Sequence, residues 1–442
     1  MTAQKHFKQL VRLRMKKTGE SYTTARRHVL SQAEPHSEQG PGRWHLPGNI
    51  PATTALRVLL TAAGTRNPRD GNPLSEAMLF GIAGGIGIGI ATFRYEKEDF
   101  SSFFIAGRHM WQDDLAYFRA ALGRFGIRPT VRETAGASAG LKQLRSALTE
   151  EPPCIAWVDM THLPHRALPQ QFSGGGYHVV TVYHIDDEQG SALIGDMTDE
   201  PVVISLRDLA TARGRIKSFK NRLLTIPPAK GPADLVPLIR AGLQACHAGL
   251  TGKPIKGPAT MSNLEAIARW ATRLSRSADK ESWERIFPRG RHLWQGLTSI
   301  HDYIENYHTG GGLCRPLFSE FLTEAADLPR LDHLRSLGES YAKIGKSWSE
   351  LAMAALPEEV PAFKEARELY ARRAELVADA NGENTSEIKA VWARIGELRR
   401  HVCEDFPLSE PQCAHLLALL QEKVTALYKA EMAADKALEA AV

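Results

Sequence analysis

The chain has 442 residues, of which 43% are hydrophobic and 24% charged, a globular composition that excludes a disordered or low-complexity protein. No apolar run reaches the roughly 18 residues of a membrane-spanning helix, and the basic N-terminus is not followed by the apolar segment of a secretory signal. The five cysteines are far apart and none stands in a CxxC pair. We therefore expect no membrane span, no disulfide framework and a cytoplasmic location.

The net charge of +5 is concentrated at the N-terminus. Residues 1–30 hold eight Lys or Arg against one Glu, a net of +7. We predict a basic helical arm over residues 1–32 and a polar, Pro/Gly-rich linker over 33–48 that makes the arm separable from the fold. The arm is either a solvated helix or attracted to acidic partners. Nothing else in the chain suggests a nucleic-acid-binding domain, so no nucleic-acid partner is expected.

The spacing of the hydrophobic residues changes within residues 49–226. The first part predicts helices and the second predicts short strands separated by turn residues, which is an α+β order rather than βαβ alternation. The predicted helices cover 52–63, 74–80, 113–125 and 141–149, and the predicted strands cover 154–158, 178–183, 191–194 and 202–205.

The rest of the chain is predicted to be helical after a connection. Residues 227–260 are rich in Pro and Gly and have room for one short helix. From 261 to 442 the pattern is helical, and Leu416, Leu420, Val424 and Leu427 form one apolar stripe. The long C-terminal helices are a candidate for a hairpin or a homodimer interface.

Five glycines lie in the nine residues from Gly81 to Gly89. The run is not a GxGxxG fingerprint and no Gly-Lys-Ser/Thr follows it, so we expect no nucleotide cofactor. A glycine-lined wall suits an acyl pocket, and close packing of the backbone explains it equally well.

His178 opens an apolar strand, and Asp196 closes a later one. A carboxylate on a neighbouring strand could hold the imidazole in one tautomer and make it a base, although most histidines beside strands are structural. Asp159, His162 and His165 could be metal ligands, but their spacing fits no known motif and we expect no metal. Cys314 beside Arg315 is either a low-pKa thiol or an inert buried residue.

Several ordered motifs resemble one family. The stretches 54–60, 74–81 and 157–164, with Tyr177-His178-Val-Val180, are similar to the N-terminal domain of the butirosin biosynthesis acyltransferase BtrH family. The helical half, with Gly310-Gly-Gly312 and Arg315, resembles the uncharacterised domain that follows it in that family. The resemblance covers roughly residues 45–352.

The resemblance implies a papain-like Cys-His-Asp fold followed by an all-α domain. It also implies transfer of an acyl group from an acyl-carrier-protein thioester to an amine, without a cofactor. His178 and Asp196 match the base and its orienting acid. Counting back from Thr54, however, places Pro51 where the nucleophilic cysteine belongs. From the matching motifs we assign substrate binding to Glu76, Phe80, Gly84, Gly85, Asp159 and Tyr177.

The missing thiol leaves three alternatives. In the first, His178 activates an amine or alcohol acceptor that attacks a bound acyl thioester directly. In the second, Thr53 or Thr54 replaces the cysteine, although either could simply cap its helix. In the third, the domain is an inactive module that holds an acyl carrier, a peptide or a pathway product. We predict that His178 and Asp196 lie within hydrogen-bond reach.

Overall fold

The computed structural model describes residues 3–30, 40, 42–95, 99–110, 113–232, 234–253, 260–274, 281–379 and 384–442. Residues 33–39 and 41 of the predicted linker, and 254–259 of the predicted connection, lie outside the described residues. The chain is α+β, and its helices and strands have the following bounds. The helices are α1 Ala3–Thr18, α2 Tyr22–Leu30, α3 Pro51–Ala63, α4 Glu76–Ile82, α5 Asp114–Arg124, α6 Ala137–Glu150, α7 Leu206–Arg215, α8 Val236–Thr251, α9 Leu264–Leu274, α10 Trp283–Ile286, α11 Arg291–Glu305, α12 Arg315–Ala326, α13 Leu334–Ala355, α14 Pro361–Ala378, α15 Thr385–Glu404 and α16 Glu410–Ala440. The strands are β1 Ile86–Tyr95, β2 Phe100–Arg108, β3 Thr130–Arg132, β4 Cys154–Asp159, β5 Tyr177–Asp186, β6 Ser191–Gly195, β7 Val202–Ser205, β8 Leu223–Thr225 and β9 Thr260–Ser262.

The chain divides into two compact units. The first comprises Met1–Leu79, Leu115–Leu235 and Arg372–Trp392, and the second comprises Phe80–Asp114, Val236–Ala371 and Ala393–Val442. These units differ from the contiguous domains expected at 49–226 and 261–442. The physical reason is strand pairing, because β1 pairs with β9 and so places the β1–β2 hairpin in the second unit. Among the described residues, no helix combines the length and apolar character needed to cross a lipid bilayer.

The first unit contains an antiparallel sheet in the order β3-β8-β4-β5-β6-β7. Every residue of β4 is buried, as the continuous apolar run from Cys154 to Val158 predicts. The helix α3 packs on β5, and α7 packs on β4. The four strands predicted between 154 and 205 are all present, and this sheet carries His178 on β5 and Asp196 directly after β6.

The N-terminal helices are not a separable arm, which corrects our expectation. Tyr22, Arg26 and Arg27 of α2 are each less than 5% exposed. On α1, Lys8 pairs with Asp379 and Arg12 with Glu375, both from the 372–392 segment of the same unit. Lys8 and Arg12 therefore meet acidic groups within this unit, which removes our reason to reserve these two side chains for an acidic partner.

The second unit combines a small antiparallel sheet, in the order β2-β1-β9, with packed helices. Its core is aromatic: the ring of Trp270 stacks on Trp348 with centroids 6.4 Å apart, and Phe103 contacts Trp270 at 5.1 Å. On α16, the predicted stripe of Leu416, Leu420, Val424 and Leu427 is buried. Burial of this stripe confirms the helical period.

A fully buried ion pair lies inside the second unit. Arg315 Nε donates to Glu431 Oε1 at 2.7 Å, and Trp348 Nε1 donates to the same oxygen at 2.8 Å. Arg315 Nη1 donates to the carbonyl oxygens of Gly87, Gly107 and Leu313 at 3.0–3.1 Å. The arginine thus satisfies backbone acceptors from three buried segments.

The same arginine follows an unusual turn. Gly310, Gly311 and Gly312, then Leu313 and Cys314, all have positive φ. Glycine adopts this conformation readily, but Leu and Cys do so at a cost of order 1–3 kcal/mol each. Cys314 is 1% exposed, which favours the inert buried residue among our two interpretations.

Candidate functional site

The predicted contact between His178 and Asp196 is present. Their atoms Nε2 and Oδ1 are 2.6 Å apart, and both side chains are at most 1% exposed. Because a carboxylate only accepts hydrogen bonds, Nε2 of His178 carries the proton in this contact. In the neutral imidazole, Nδ1 is then the basic nitrogen.

Strand register brings these two residues together. β5 and β6 are antiparallel neighbours, and Thr181 pairs with Gly195. Continued by one residue, this register places Asp196 opposite Val180, which is two residues from His178 and on the same face of β5. Gly195 is required here because a Cβ atom at this position would lie 2.1 Å from the Tyr183 hydroxyl oxygen.

Two further residues hold the same carboxylate: Arg166, which the sequence did not indicate, and His165, which we had considered only as a metal ligand. Arg166 donates to both oxygens of Asp196 at 2.7 Å, through Nε and Nη2. His165 Nε2 lies 2.7 Å from Asp196 Oδ2 and donates to it. Asp196 thus accepts from one arginine and two histidines, and all four side chains are buried.

The buried charges shift two pKa values. Burial, followed by the positive charge of Arg166, lowers the pKa of His178, against the opposing effect of Asp196. Burial alone would raise the pKa of Asp196, but Arg166, His178 and His165 outweigh it and hold this pKa well below its ordinary value. At neutral pH the site therefore pairs an ionised carboxylate with a neutral imidazole.

We expect stability to fall as the pH drops below about 6.5, the ordinary histidine pKa. In that range the unfolded chain binds a proton at His178 that the folded chain resists, so protonation favours unfolding by at most about 1.4 kcal/mol per pH unit. Urea denaturation between pH 7.5 and 5.5 measures the slope. His178→Gln retains a donor toward Asp196 and should show a shallower slope than the parent protein. Equal slopes would show that His178 does not resist protonation. The lowered pKa of Asp196 also contributes to the free energy of unfolding. This contribution is lost only as the pH falls from the ordinary Asp pKa, about 4, through the lower pKa of Asp196 in the folded chain.

A narrow cleft lies between the start of α3 and the sheet. Pro51, Thr54, Thr181 and Asp196 are among its lining residues, and its volume of about 10 Å³ has room for about one water molecule. Pro51 is the first residue of α3, where its missing N–H costs nothing. The cleft therefore brings the start of this helix and the Asp196 carboxylate to one place.

The two threonines that could replace a thiol both have other partners. Thr53 Oγ1 lies 2.8 Å from the Tyr117 hydroxyl, and Thr54 Oγ1 donates to Glu76 Oε1 at 3.0 Å. Both residues are at most 5% exposed. This arrangement favours a structural role for both hydroxyl groups.

Glu76 caps helix α3. Its carboxylate accepts from the backbone N–H groups of Asn49 and Ile50, from the Asn49 amide and from Thr54. A carboxylate has about four acceptor positions, and these four donors occupy them. Our assignment of Glu76 to substrate binding is thus better replaced by a role in fixing the start of α3.

Asp159 and Tyr177, also assigned to substrate binding, occupy different surroundings. Asp159 is buried and accepts from the backbone N–H groups of Thr161 and Gly174, so it shapes the loop that carries His165 and Arg166. Tyr177 is 59% exposed, and its ring contacts Phe219. His162, once a possible metal ligand with Asp159, bonds instead to Ser173, and the described residues contain no cluster of three or more metal-binding side chains.

Phe80, Gly84 and Gly85 belong to the second unit. Gly85 N donates to the Phe80 carbonyl oxygen at 2.8 Å and Gly84 N to that of Gly81 at 2.9 Å, which closes the C-terminus of α4. A Cβ atom at Gly85 would lie 2.5 Å from the Phe80 ring. Close backbone packing therefore accounts for these glycines.

Two family models together match most of the chain. Residues 51–197 match the family described as butirosin biosynthesis protein H, N-terminal, and residues 205–396 match a domain of unknown function, DUF4872. No curated protein matches the chain. The two matches, in this order, are the two-domain architecture of proteins like butirosin biosynthesis protein H.

Proposed function

We propose, from the match to the two domains of proteins like butirosin biosynthesis protein H, that the chain is an acyltransferase-like protein of a biosynthetic pathway. We propose further that it moves an acyl group from a carrier-protein thioester to an amine or alcohol without a cysteine nucleophile, on a papain-like first domain. The observation that carries the finer proposal is the 2.6 Å contact between His178 and Asp196 beside the cleft that Pro51 lines.

The proposed step is direct aminolysis or alcoholysis of the thioester. Nδ1 of His178 takes the proton of the acceptor N–H or O–H as the acceptor attacks the acyl carbon. A C–N or C–O bond forms, the C–S bond breaks, and the proton passes from the imidazolium to the leaving thiolate. Asp196 holds the ring orientation throughout and stabilises the transient imidazolium.

A direct attack suits the residues around the cleft. Pro51 has no nucleophilic atom, and the hydroxyl groups of Thr53 and Thr54 serve Tyr117 and Glu76. Cys154 is fully buried on β4, and burial raises the pKa of its thiol to about 12, which keeps it protonated and inert. Proximity of two bound reactants can still supply several kcal/mol of the barrier reduction.

One observation favours a second candidate, an inactive module that holds an acyl carrier or a pathway product. Arg166 bonds both oxygens of Asp196 and lies 3.0 Å from Nε2 of His178. This charge opposes protonation of the imidazole and so weakens the base. A purely structural cluster would show the same bonds.

The test uses the acetyl thioester of N-acetylcysteamine as donor and ethanolamine, which offers an amine and an alcohol, as acceptor. We expect acetyl transfer without a stable acyl adduct anywhere in residues 45–226, as judged by intact-mass measurement and peptide mapping. His178→Ala should reduce the rate by about 10²–10⁴-fold, the usual contribution of a general base.

Replacement of all five cysteines by alanine or serine is the control and should leave transfer in place in the folded protein. An adduct on Thr53 or Thr54 would instead support a threonine nucleophile. An adduct on Cys154 would mean that the site is assigned to the wrong residues. Binding of the thioester without any transfer would support the inactive module.

A further inference from the structure

We infer that Arg26, on the N-terminal helix α2, is a positioning residue of the candidate site. Its Nη1 donates to the carbonyl oxygen of Gly48 at 2.9 Å, and its Nη2 donates to that of Met197 at 2.9 Å. Nη2 and Nε also donate to Asp199 Oδ1, at 2.6 and 3.1 Å. One guanidinium thus joins the segment just before Pro51 to the segment just after Asp196.

The segment before Pro51 transmits this contact to α3. Gly48 packs so closely on the first turn of α3 that a Cβ atom there would lie 2.0 Å from Thr54 Oγ1 and 2.9 Å from Glu76 Oε1. The backbone of Gly48 therefore lies directly against the start of α3 and leaves no room for a side chain. The bond from Arg26 consequently fixes the side of the cleft on which Pro51 lies.

The segment after Asp196 has a backbone that needs support. Met197 has φ of 52°, a left-handed conformation that non-glycine residues adopt only where the surroundings enforce it. Arg26 bonds the Met197 carbonyl oxygen and the Asp199 carboxylate on either side of Thr198. These bonds hold the turn that directs Asp196 toward Arg166 and His178.

A second connection joins the same two segments. His45 Nε2 donates to the Thr198 carbonyl oxygen at 2.9 Å, and His45 Nδ1 lies 3.1 Å from the Tyr183 hydroxyl oxygen. Its neighbour Leu46 packs against Tyr183 and Val58 and lines the cleft. The stretch before Pro51 is therefore part of the site, and Arg26 anchors it from outside.

Arginine suits this position because its planar group offers five donors in fixed directions. Lysine would keep the positive charge beside Asp199 but would not reach both carbonyl oxygens at the same time. Arg26→Lys therefore separates the geometric role of the residue from its charge. Arg12→Lys is the matched control, because Arg12 lies on α1 and is a largely exposed partner of Glu375.

The first readout is the pKa of His178, followed by NMR of histidine-labelled full-length protein without substrate. We expect Arg26→Lys to raise this pKa by about half a unit or more toward the ordinary value, because the Asp196 segment loosens and water enters. Arg12→Lys should titrate like the parent protein. A residue that only stabilises the fold would lower the melting temperature and leave this titration unchanged.

The second readout is acetyl transfer, and it rests on the proposed function. In the Arg26→Lys variant, kcat should fall about tenfold with little change in KM. The His178 titration tests the inference even if the protein transfers no acetyl group. A failure of the inference can therefore be distinguished from a failure of the proposed function. A folded Arg26→Lys variant with the parental His178 titration would overturn the inference. Should that variant not fold, Asp199→Asn weakens the same anchor, and an unchanged titration in it would overturn the inference equally.

Discussion

Replacing Glu431 by alanine should destabilise the second unit by about 3–5 kcal/mol, the usual cost of removing one partner of a buried ion pair. Glu431 and Arg315 both have fully buried side chains, and Glu431 Oε1 accepts from Arg315 and from Trp348. The variant leaves an uncompensated guanidinium in the core. Urea denaturation followed by tryptophan fluorescence measures the loss, because Trp348 and Trp270 report on this core.

Asp327→Ala is the matched control, because Asp327 pairs with Arg335 where both side chains are about half exposed. Exposed pairs contribute roughly 0–1 kcal/mol. If the free energy of unfolding of Glu431→Ala lies within about 1 kcal/mol of the parent value, Glu431 and Arg315 do not form the buried ion pair described here.

The double variant Arg315→Met, Glu431→Leu tests what else the arginine does. An ion pair alone can often be replaced by apolar residues without loss. Here Arg315 Nη1 also satisfies the carbonyl oxygens of Gly87, Gly107 and Leu313, and each would lose a donor. The double variant should therefore stay destabilised, because each unsatisfied buried carbonyl costs about 1–3 kcal/mol.

Sequence periodicity predicted the elements whose own residues determine them. The helices near 52–63, 113–125 and 141–149, and the strands from 154 to 205, appear close to the predicted bounds. In each of these, a local apolar pattern matches the face that the element buries.

Other elements depend on partners that are distant in the sequence. β1 starts inside the glycine run, where residues of low strand propensity gave no local signal; its pairing with β2 and β9 determines the strand. β3, β8 and β9 have only three residues each, too few for a recognisable alternation. For α7 a signal was available, because Ser205 caps the helix by accepting from Asp208 N.

The residues of the candidate site also differ in whether the sequence could predict them. His178 and Asp196 were predictable because each borders an apolar strand and together they match the family pattern. Arg166 was not, because it lies in a short 3₁₀ turn outside the strands and its bonds to Asp196 join residues 30 positions apart. Arg26 lies 173 positions from Asp199, and in the sequence it is one of eight similar basic residues. Only the folded chain shows that Arg26 is the one that bonds Gly48, Met197 and Asp199.

Restoring a thiol tests the position that we propose for the absent nucleophile. Pro51→Cys should become acetylated at the introduced thiol by the acetyl thioester of N-acetylcysteamine, whereas the parent protein should not. The new thiol would stand at the N-terminus of α3 and line the cleft together with Asp196. A helix N-terminus lowers a thiol pKa and so favours the reactive thiolate. The loss of proline should cost little, because the N–H of a first helical residue has no partner within the helix.

The matched control is Pro47→Cys, which introduces a thiol in the preceding segment, four residues away from the start of the helix. It should show only the background acetylation of an ordinary thiol. Adding His178→Ala to Pro51→Cys should remove most of the adduct, because general-base help with proton transfer contributes about 10²–10⁴-fold. Peptide mapping by mass spectrometry locates the acetyl group. If Pro51→Cys reacts no faster than Pro47→Cys, or equally fast without His178, Pro51 does not stand at a nucleophile's position. His178 would then have no nucleophile to activate at this end of α3.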